Sequence, residues 1–232
     1  MTFKPTLGAT VAAALAVLIL IGLGTWQLDR REWKSQVIES RAQRVTAPAM
    51  TFLDIGDVDT AEYRPVRLTG RYRVGDSIKL LSRTRAGKPG YHIVTPFEID
   101  GAARVVLVDR GWVPVDRDPD IAVAPDGLIE IEGFVRRFEI PNRFTPDNDP
   151  VAGDWFYLDG DQLASALNLD VAPIYVQLAP DAAPPGAYPQ GDVPNVALRN
   201  PHLQYAVTWY ALALVLLVIY VIFHARRRVG ED

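Results

Sequence analysis

Two long apolar runs stand at the ends of this 232-residue chain, with a polar block between them. The first run extends from Leu7 to Trp26, and the second from about Ala206 to Phe223. A helix needs roughly 20 apolar residues to cross the hydrocarbon core of a bilayer, and both runs are close to that length. The pattern therefore predicts two transmembrane helices, with the block from about 27 to 204 on one side of the membrane.

Charge beside the spans predicts their orientation. Arg226–Arg228 directly follow the second span, and arginine clusters beside a span mark the cytoplasmic side. Arg30, Arg31 and Lys34 follow the first span on the opposite side, but acidic residues are interleaved with them. Long domains also translocate largely regardless of charge. We therefore expect both termini in the cytoplasm and the polar block outside it.

The first span has two interpretations. One is a cleavable signal peptide with a weak small-residue site at Gly22-Leu23-Gly24. An apolar run of about 20 residues exceeds the roughly 7–15 residues of the apolar h-region of a signal peptide, which favours an uncleaved anchor. No arginine- and serine-rich transit peptide is evident, which favours a multi-pass protein of a bacterial inner membrane with a periplasmic main domain.

The polar block has the pattern of a mainly-β domain. Six short segments have the alternating or continuous apolar pattern of strands, near 66–72, 78–83, 91–99, 104–113, 129–135 and 174–178. Strands at this spacing predict a small antiparallel barrel or sandwich. One helix is expected near Asp161–Leu169, and a helical extension of the first span is expected up to Arg44, before Ala47-Pro48.

The predicted fold class is a membrane protein in which two transmembrane helices flank a mainly-β (α+β) extracytoplasmic domain with one or two helices. The expected boundaries are a first transmembrane helix over 1–28 and a periplasmic domain over 29–199. That domain includes the helical extension over 29–44 and a proline-rich connector over 180–199. A second transmembrane helix is expected over 200–224, followed by a cytoplasmic tail over 225–232.

Composition narrows the classes of function. Residues 29–204 contain 26 acidic and 20 basic side chains, a net charge of −6, which argues against nucleic acid as a partner. The chain has no cysteine, which excludes thiol redox chemistry and cysteine-based metal sites. Its only histidines are His92, His202 and His224, so a protein metal site built from histidine alone is implausible.

Candidate chemistry lies where the polar block meets the two spans. Asn200 and Pro201 predict a helix start, as N-cap and first helical residue, and place His202 in the first turn. In the second helix, helical spacing places four residues on one face: His202, Tyr205, Ala206 and Trp209. In the first helix, the same spacing places Trp26, Arg30 and Trp33 on one face. If the helices are neighbours, these faces form an aromatic pocket with a histidine and an arginine at its wet rim.

A flat amphipathic ligand such as haem suits this description. Imidazole is a common axial ligand of haem iron, arginine pairs with propionates, and an isoprenoid tail can remain in lipid. The alternative is structural, because tryptophan and tyrosine are enriched at membrane interfaces and a histidine at a helix entrance is usually only interfacial. The residue pattern alone leaves both interpretations open.

Other candidates have simpler explanations. His92 is expected to be a structural histidine in a strand, and His224 a residue of the membrane interface. Asp109 and Arg110 point to opposite faces of their strand, and Gly111 is expected to permit a turn or bulge. The loop over 141–150 is either a plain connection or a surface that binds a partner. The sequence carries no hydrolase, zinc-protease, Walker A or dinucleotide-binding signature.

Five segments of the chain resemble the surfeit locus protein family of cytochrome c oxidase assembly factors. They are Gly24-Thr25-Trp26-Gln27 with Arg30 and Lys34, then the segments 63–70 (YRPVRLTG), 90–97 (GYHIVTPF), 108–114 (VDRGWVP) and 198–210 (LRNPHLQYAVTWY). The five segments are spread over nearly the whole chain and follow one another in the same order as in the family. Together they are specific to that family. One departure is Asp109, where relatives often have Asn before Arg-Gly.

The resemblance implies a role in assembling a haem–copper oxidase and no enzymatic activity. It implies transient binding of haem a and its delivery to the haem-bearing catalytic subunit of the oxidase, with haem a synthase as a further candidate partner. His202, in the Asn-x-His-Leu-x-Tyr motif, is the implied iron ligand. Tyr205, Trp209, Trp26 and Arg30 complete the expected cofactor-binding set. The alternatives are a cofactor-free scaffold for an oxidase intermediate and a membrane-anchored periplasmic enzyme with a pocket inside the barrel.

Overall fold

Two long helices stand near the ends of the chain in a computed structural model that describes residues 5–117, 123–180 and 187–226. Helix α1 spans Leu7–Val45 and helix α4 spans His202–Arg226. The helical extension predicted to Arg44 is confirmed, and α1 ends just before Pro48, whose ring disfavours helix in the residue ahead of it. Arg227 and Arg228, on which the predicted orientation partly depends, lie outside the described residues.

Both helices are long and apolar enough to cross a membrane. Only 11% of the residues in the most apolar window of each helix are buried within the molecule. The core helix of a soluble protein would be mostly buried, whereas large apolar side chains such as Leu18, Ile19 and Val215 are exposed here. The two helices flank the remainder of the chain, as the sequence predicted.

The two helices pack against each other in antiparallel directions. Thr10 Oγ1 lies 2.6 Å from the Tyr220 hydroxyl, and Thr25 Oγ1 lies 3.1 Å from the Tyr210 hydroxyl. A Cβ on Gly24 would lie 2.7 Å from the Tyr210 ring, so glycine lets this ring approach α1 closely. In the described residues of the two helices the buried positions are Val17, Gly24, Ala206, Ala213 and His224. Three of them are Gly or Ala, the small residues typical of helix pairs in membranes.

The residues between 41 and 195 form a second compact unit built on seven strands. The strands are β1 (Met50–Thr51), β2 (Pro65–Tyr72), β3 (Ile78–Arg85), β4 (Lys88–Ile99), β5 (Val105–Pro114), β6 (Ile129–Arg136) and β7 (Val171–Leu178). Two helices belong to this unit, the short α2 (Val58–Ala61) and α3 (Gly160–Leu167). The six predicted strands and the predicted helix are present, while β1 and α2 carry too few residues to show a periodic pattern.

The sheet closes into a barrel. Its strand order is β1-β2-β6-β7-β5-β4-β3, and a further pairing of β2 with β4 joins the ring. Most pairs are antiparallel, as predicted, but β5 pairs with β7 in parallel and so does β1 with β2. The sequence did not predict these parallel pairs, because strand periodicity says which face is buried and not which strand is the neighbour.

Apolar side chains fill the interior of the barrel. Alternate residues of five strands point inward and are almost fully buried, among them Val66, Leu68, Phe97, Val106, Val135 and Val176. A second cluster packs α3 against the outside of the sheet through Leu163, Leu158 and Trp155. A membrane-anchored periplasmic enzyme, the last alternative considered from the sequence, needs a polar pocket inside the barrel. The described interior is instead a packed apolar core.

The chain after β7 stays attached to the barrel through backbone hydrogen bonds. Residues 181–186 of the predicted connector lie outside the described residues. Beyond them, Gln190 and Trp112 exchange two backbone hydrogen bonds of 2.9 Å, and the Asp192 amide donates to the Leu178 carbonyl. The described part of the proline-rich segment is assigned no helix or named strand, and its first half is paired with the sheet through Gln190 and Asp192.

Candidate functional site

The first turn of α4 places His202 at the start of the second span. The Pro201 carbonyl accepts hydrogen bonds from the backbone amides of Gln204 and Tyr205, which opens the helix. Proline suits this position because it has no N–H that would be left without a partner. His202 is half-buried and projects toward α1.

Asn200 does not cap this helix, so the N-cap prediction was wrong. Its Nδ2 instead donates to the Arg31 carbonyl at 3.1 Å and to Ser35 Oγ at 3.2 Å, both on α1. Its Oδ1 is buried and accepts no hydrogen bond from the described residues. The competing interaction is with the neighbouring helix, which the sequence alone could not reveal. Asn200 therefore fixes the register of the two helices and leaves one acceptor unused two residues from His202.

His202 contacts Gln27 across the helix pair. Its Nδ1 lies 2.7 Å from Gln27 Oε1, a short hydrogen-bond distance. An amide oxygen only accepts, so Nδ1 carries the proton, and the lone pair of the neutral ring is on Nε2. The geometry therefore leaves Nε2 as the nitrogen that could bind a metal ion. The sequence did not single out Gln27, although it stands beside Trp26 in one of the resembling segments.

The other predicted site residues are placed around this contact in different ways. Trp209 is half-buried on the α4 face that carries His202, whereas Tyr205 is exposed by 51%. On α1, Trp26 is exposed by 52%, and the guanidinium of Arg30 stacks 4.3 Å from the centroid of the Trp33 ring. Successive helical residues are about 100° apart, so Trp26 points away from the direction of Gln27. The structure thus brings His202 to α1 through Gln27, while Trp26, Tyr205 and Arg30 are exposed and Trp209 is half-buried.

A second polar pair lies in the barrel unit and was missed by the sequence analysis. His92 Nδ1 lies 2.8 Å from Asp109 Oδ2, and Asp109 is buried. The Gly111 amide also donates to Asp109, at 3.0 Å. The predicted bulge at Gly111 is confirmed by a shift in the register between β4 and β5, which brings Asp109 beside His92. A bulge changes which residues are neighbours, so strand alternation alone could not find this pair.

Arg110 points away from Asp109, as the alternation of a strand predicted. Its guanidinium donates to the Val123 carbonyl at 3.1 Å and lies 5.2 Å from the centroid of the Tyr72 ring. Burial lowers the pKa of the Arg110 guanidinium, and the Tyr72 hydroxyl opposes that shift. Arg110 and Asp109 therefore support different sides of β5 and do not form an ion pair with each other.

The Asp109 carboxylate should stabilise the barrel by holding His92 and the bulge together. We expect Asp109→Ala to lower the free energy of unfolding by about 2–4 kcal/mol, because the buried Gly111 amide and the partly buried His92 ring lose their acceptor. Asp109→Asn keeps an acceptor oxygen and should cost less than about 1 kcal/mol. Thermal unfolding of the purified full chain, followed by circular dichroism, compares the two variants. Equal losses in both would show that the carboxylate charge, and not its acceptor role, supports the bulge.

The loop between β6 and α3 exposes three large apolar side chains. Ile140, Phe144 and Val151 are exposed by 90%, 79% and 99%. The loop itself is locally ordered, because Asn142 accepts from the Phe144 amide and Asp149 accepts from the amides of Val151 and Ala152. Contiguous apolar patches are typical of surfaces that bind partners, and these three side chains are the apolar residues that this loop offers to one.

Comparison with known proteins relates the chain to one family over most of its length. The model of the SURF1 family matches residues 14–214, which include the barrel and the facing parts of both helices. A SURF1-like protein of Monosiga brevicollis is 31% identical over 239 residues, covering 97% of this chain and 90% of the relative. Surfeit locus protein 1 of Homo sapiens is 34% identical over 221 residues, covering 85% of this chain and 73% of the relative. The Mus musculus protein of that name is 34% identical over 209 residues, covering 82% and 67%.

Proposed function

The chain belongs to the SURF1 family of cytochrome oxidase assembly factors, and we propose that it binds haem a at its helix pair and aids insertion of haem a into the catalytic oxidase subunit. The observation that carries the proposal is the 2.7 Å contact between His202 Nδ1 and Gln27 Oε1. This contact leaves the Nε2 lone pair of a half-buried imidazole available at the start of a membrane helix.

The chemistry of the side chains around His202 fits this cofactor. Haem a, when bound, supplies an iron atom for which imidazole nitrogen is a common axial ligand. Arg30 offers an exposed guanidinium, which pairs well with a carboxylate such as a propionate. Trp26, Trp33 and Tyr205 offer exposed aromatic surface, and the apolar faces of both helices offer a surface for an isoprenoid tail in lipid.

The proposal includes a location and two partners. We place the protein in a bacterial inner membrane, with both termini cytoplasmic and the barrel unit periplasmic, on the basis of Arg226–Arg228 and the two spans. His202 then lies at the periplasmic end of α4. The proposed recipient is the haem-bearing catalytic subunit of cytochrome c oxidase, and haem a synthase is the second proposed partner.

Purification from cells that make haem a tests this proposal. The full chain, extracted in detergent, should carry a pigment whose organic extract has the mass and absorption of haem a. Protein from matched cells that lack haem a synthesis should not carry that pigment. A colourless preparation from cells that make haem a normally would contradict the proposal.

A cofactor-free scaffold is the second candidate function, and the exposed loop favours it. Ile140, Phe144 and Val151 give the barrel unit an apolar contact surface that does not depend on His202. Replacing all three with serine should abolish co-purification of an oxidase subunit if this function holds. The single change His202→Ala should then leave co-purification unchanged, whereas loss with His202→Ala would favour the haem-binding function.

A further inference from the structure

On α1, the side chain of Gln27 holds the imidazole of His202 by the hydrogen bond from Nδ1 to Oε1. We infer that Gln27 is a positioning residue, which fixes the tautomer and the ring orientation of His202 so that Nε2 is the nitrogen offered to an iron atom. The inference rests on the proposed function and adds to it a residue and a protonation pattern.

The choice of tautomer matters because a neutral imidazole offers only one lone pair to a metal. The hydrogen bond made by one ring nitrogen decides which nitrogen is left to bind. Histidines that bind metals almost always donate their other N–H to an acceptor, and losing that acceptor typically costs about 10–100-fold in metal affinity. Gln27 supplies such an acceptor, and it does so without adding a negative charge beside the membrane hydrocarbon.

The Gln27–His202 bond joins two helices, so it depends on their register. Contacts on both sides of Gln27 along α1 hold that register. Three residues earlier, the Tyr210 ring packs on Gly24, and four residues later the Arg31 carbonyl accepts from Asn200. Nε2 is therefore presented only while the helices are paired. A partner that separated the helices would free the imidazole from Gln27 and weaken its hold on iron.

Three variants of the full chain isolate the acceptor. Gln27→Leu removes the acceptor at similar volume, and Gln27→Glu replaces it with a stronger one. Gln36→Leu is the matched control, because Gln36 lies on the same helix and its Nε2 donates to Glu32 instead of contacting His202. The wild-type chain completes the set.

The first measurement needs no haem. The chain has three histidines, so ¹⁵N-histidine NMR of the haem-free protein in detergent micelles resolves few signals, and His202→Ala assigns those of His202. At a pH where the ring is neutral, wild type, Gln27→Glu and Gln36→Leu should show a protonated Nδ1 and an unprotonated Nε2. Gln27→Leu should show a mixture of tautomers. A wild-type ring protonated on Nε2, or an unchanged ring in Gln27→Leu, overturns the inference.

The second measurement titrates each variant with haem a extracted from a purified oxidase. Gln27→Leu should bind about 10–100-fold more weakly than wild type, Gln36→Leu should match wild type, and Gln27→Glu should lower the reduction potential of the bound iron. Equal affinity and potential in wild type and Gln27→Leu overturn the inference and leave the proposed function standing. If wild type binds no haem a, the proposed function fails, while the NMR measurement still decides whether Gln27 sets the tautomer.

Discussion

We expect the replacement of His202 with alanine to abolish haem a binding while the protein stays folded. The change removes the side chain proposed to hold the iron, so the loss of affinity should exceed the roughly 10–100-fold typical of removing a group that only orients a ligand. The fold should survive, because the half-buried ring contributes one hydrogen bond to Gln27, worth about 0.5–1.5 kcal/mol net. The ratio of haem to protein after detergent purification measures the first effect, and circular dichroism measures the second.

His224→Ala is the matched control for that experiment. His224 lies on the same helix and is buried, and its Nδ1 contacts the Tyr220 carbonyl near the far end of α4. This variant should keep the haem content of wild type. Haem content in a folded His202→Ala protein equal to that of wild type would contradict the assignment of His202 as the ligand.

Gly111→Ala should strongly destabilise the barrel unit. Gly111 has a φ of +117°, and a Cβ there would lie 2.1 Å from the Gln190 carbonyl oxygen. That oxygen belongs to backbone that cannot turn aside, because Gln190 and Trp112 exchange two hydrogen bonds. Backbone strain of about 1–3 kcal/mol and the loss of this pairing should together exceed about 4 kcal/mol.

Gly101→Ala separates the strain from the steric clash. Gly101 also has a positive φ, +78°, but a Cβ there meets nothing within 4 Å. This variant should lose only about 1–2 kcal/mol, the cost of the left-handed backbone. Urea unfolding of the full chain in detergent gives both free energies. Similar losses in the two variants would contradict the argument that the bulge is locked by the segment around Gln190.

The apolar pattern predicted the helices and strands well because each long element has its own period. The 20-residue apolar run and the following stretch free of proline and glycine predicted α1. The observed helix begins and ends close to the predicted residues. Alternation over 66–72 and 129–135 predicted β2 and β6, which pair antiparallel with their apolar faces inward. The two-residue strand β1 was missed because a period needs more residues than it has.

The contacts that position the site were harder to predict because they join distant parts of the chain. The sequence placed His202 in the first turn of the second span, but only the packed helices show that Gln27, 175 residues earlier, receives its Nδ1 hydrogen bond. Asn200 was predicted as a cap from local propensity, and its side chain instead crosses to Arg31 and Ser35. The hydrogen bonds from Asn200 to α1 join two helices, and they outweigh the local preference of asparagine for the N-cap position.

Contacts between neighbouring strands of the barrel were also hard to predict. A bulge at Gly111 was predicted from the glycine, but its consequence, the pairing of Asp109 with His92, depends on the register between β4 and β5. His92 was predicted to be structural, and its hydrogen bond to a buried carboxylate agrees with that role. Single-strand alternation carries no information about this register.

The measurement that tests the central claim most directly is resonance Raman spectroscopy of the protein purified with its pigment, with and without ¹⁵N-labelled histidine. We predict an iron–nitrogen stretching band of bound haem a that shifts with the ¹⁵N label, survives in His224→Ala and is absent in His202→Ala. Bound haem a with no band that responds to labelled histidine, or with the same band in His202→Ala, would contradict the claim that His202 holds the iron.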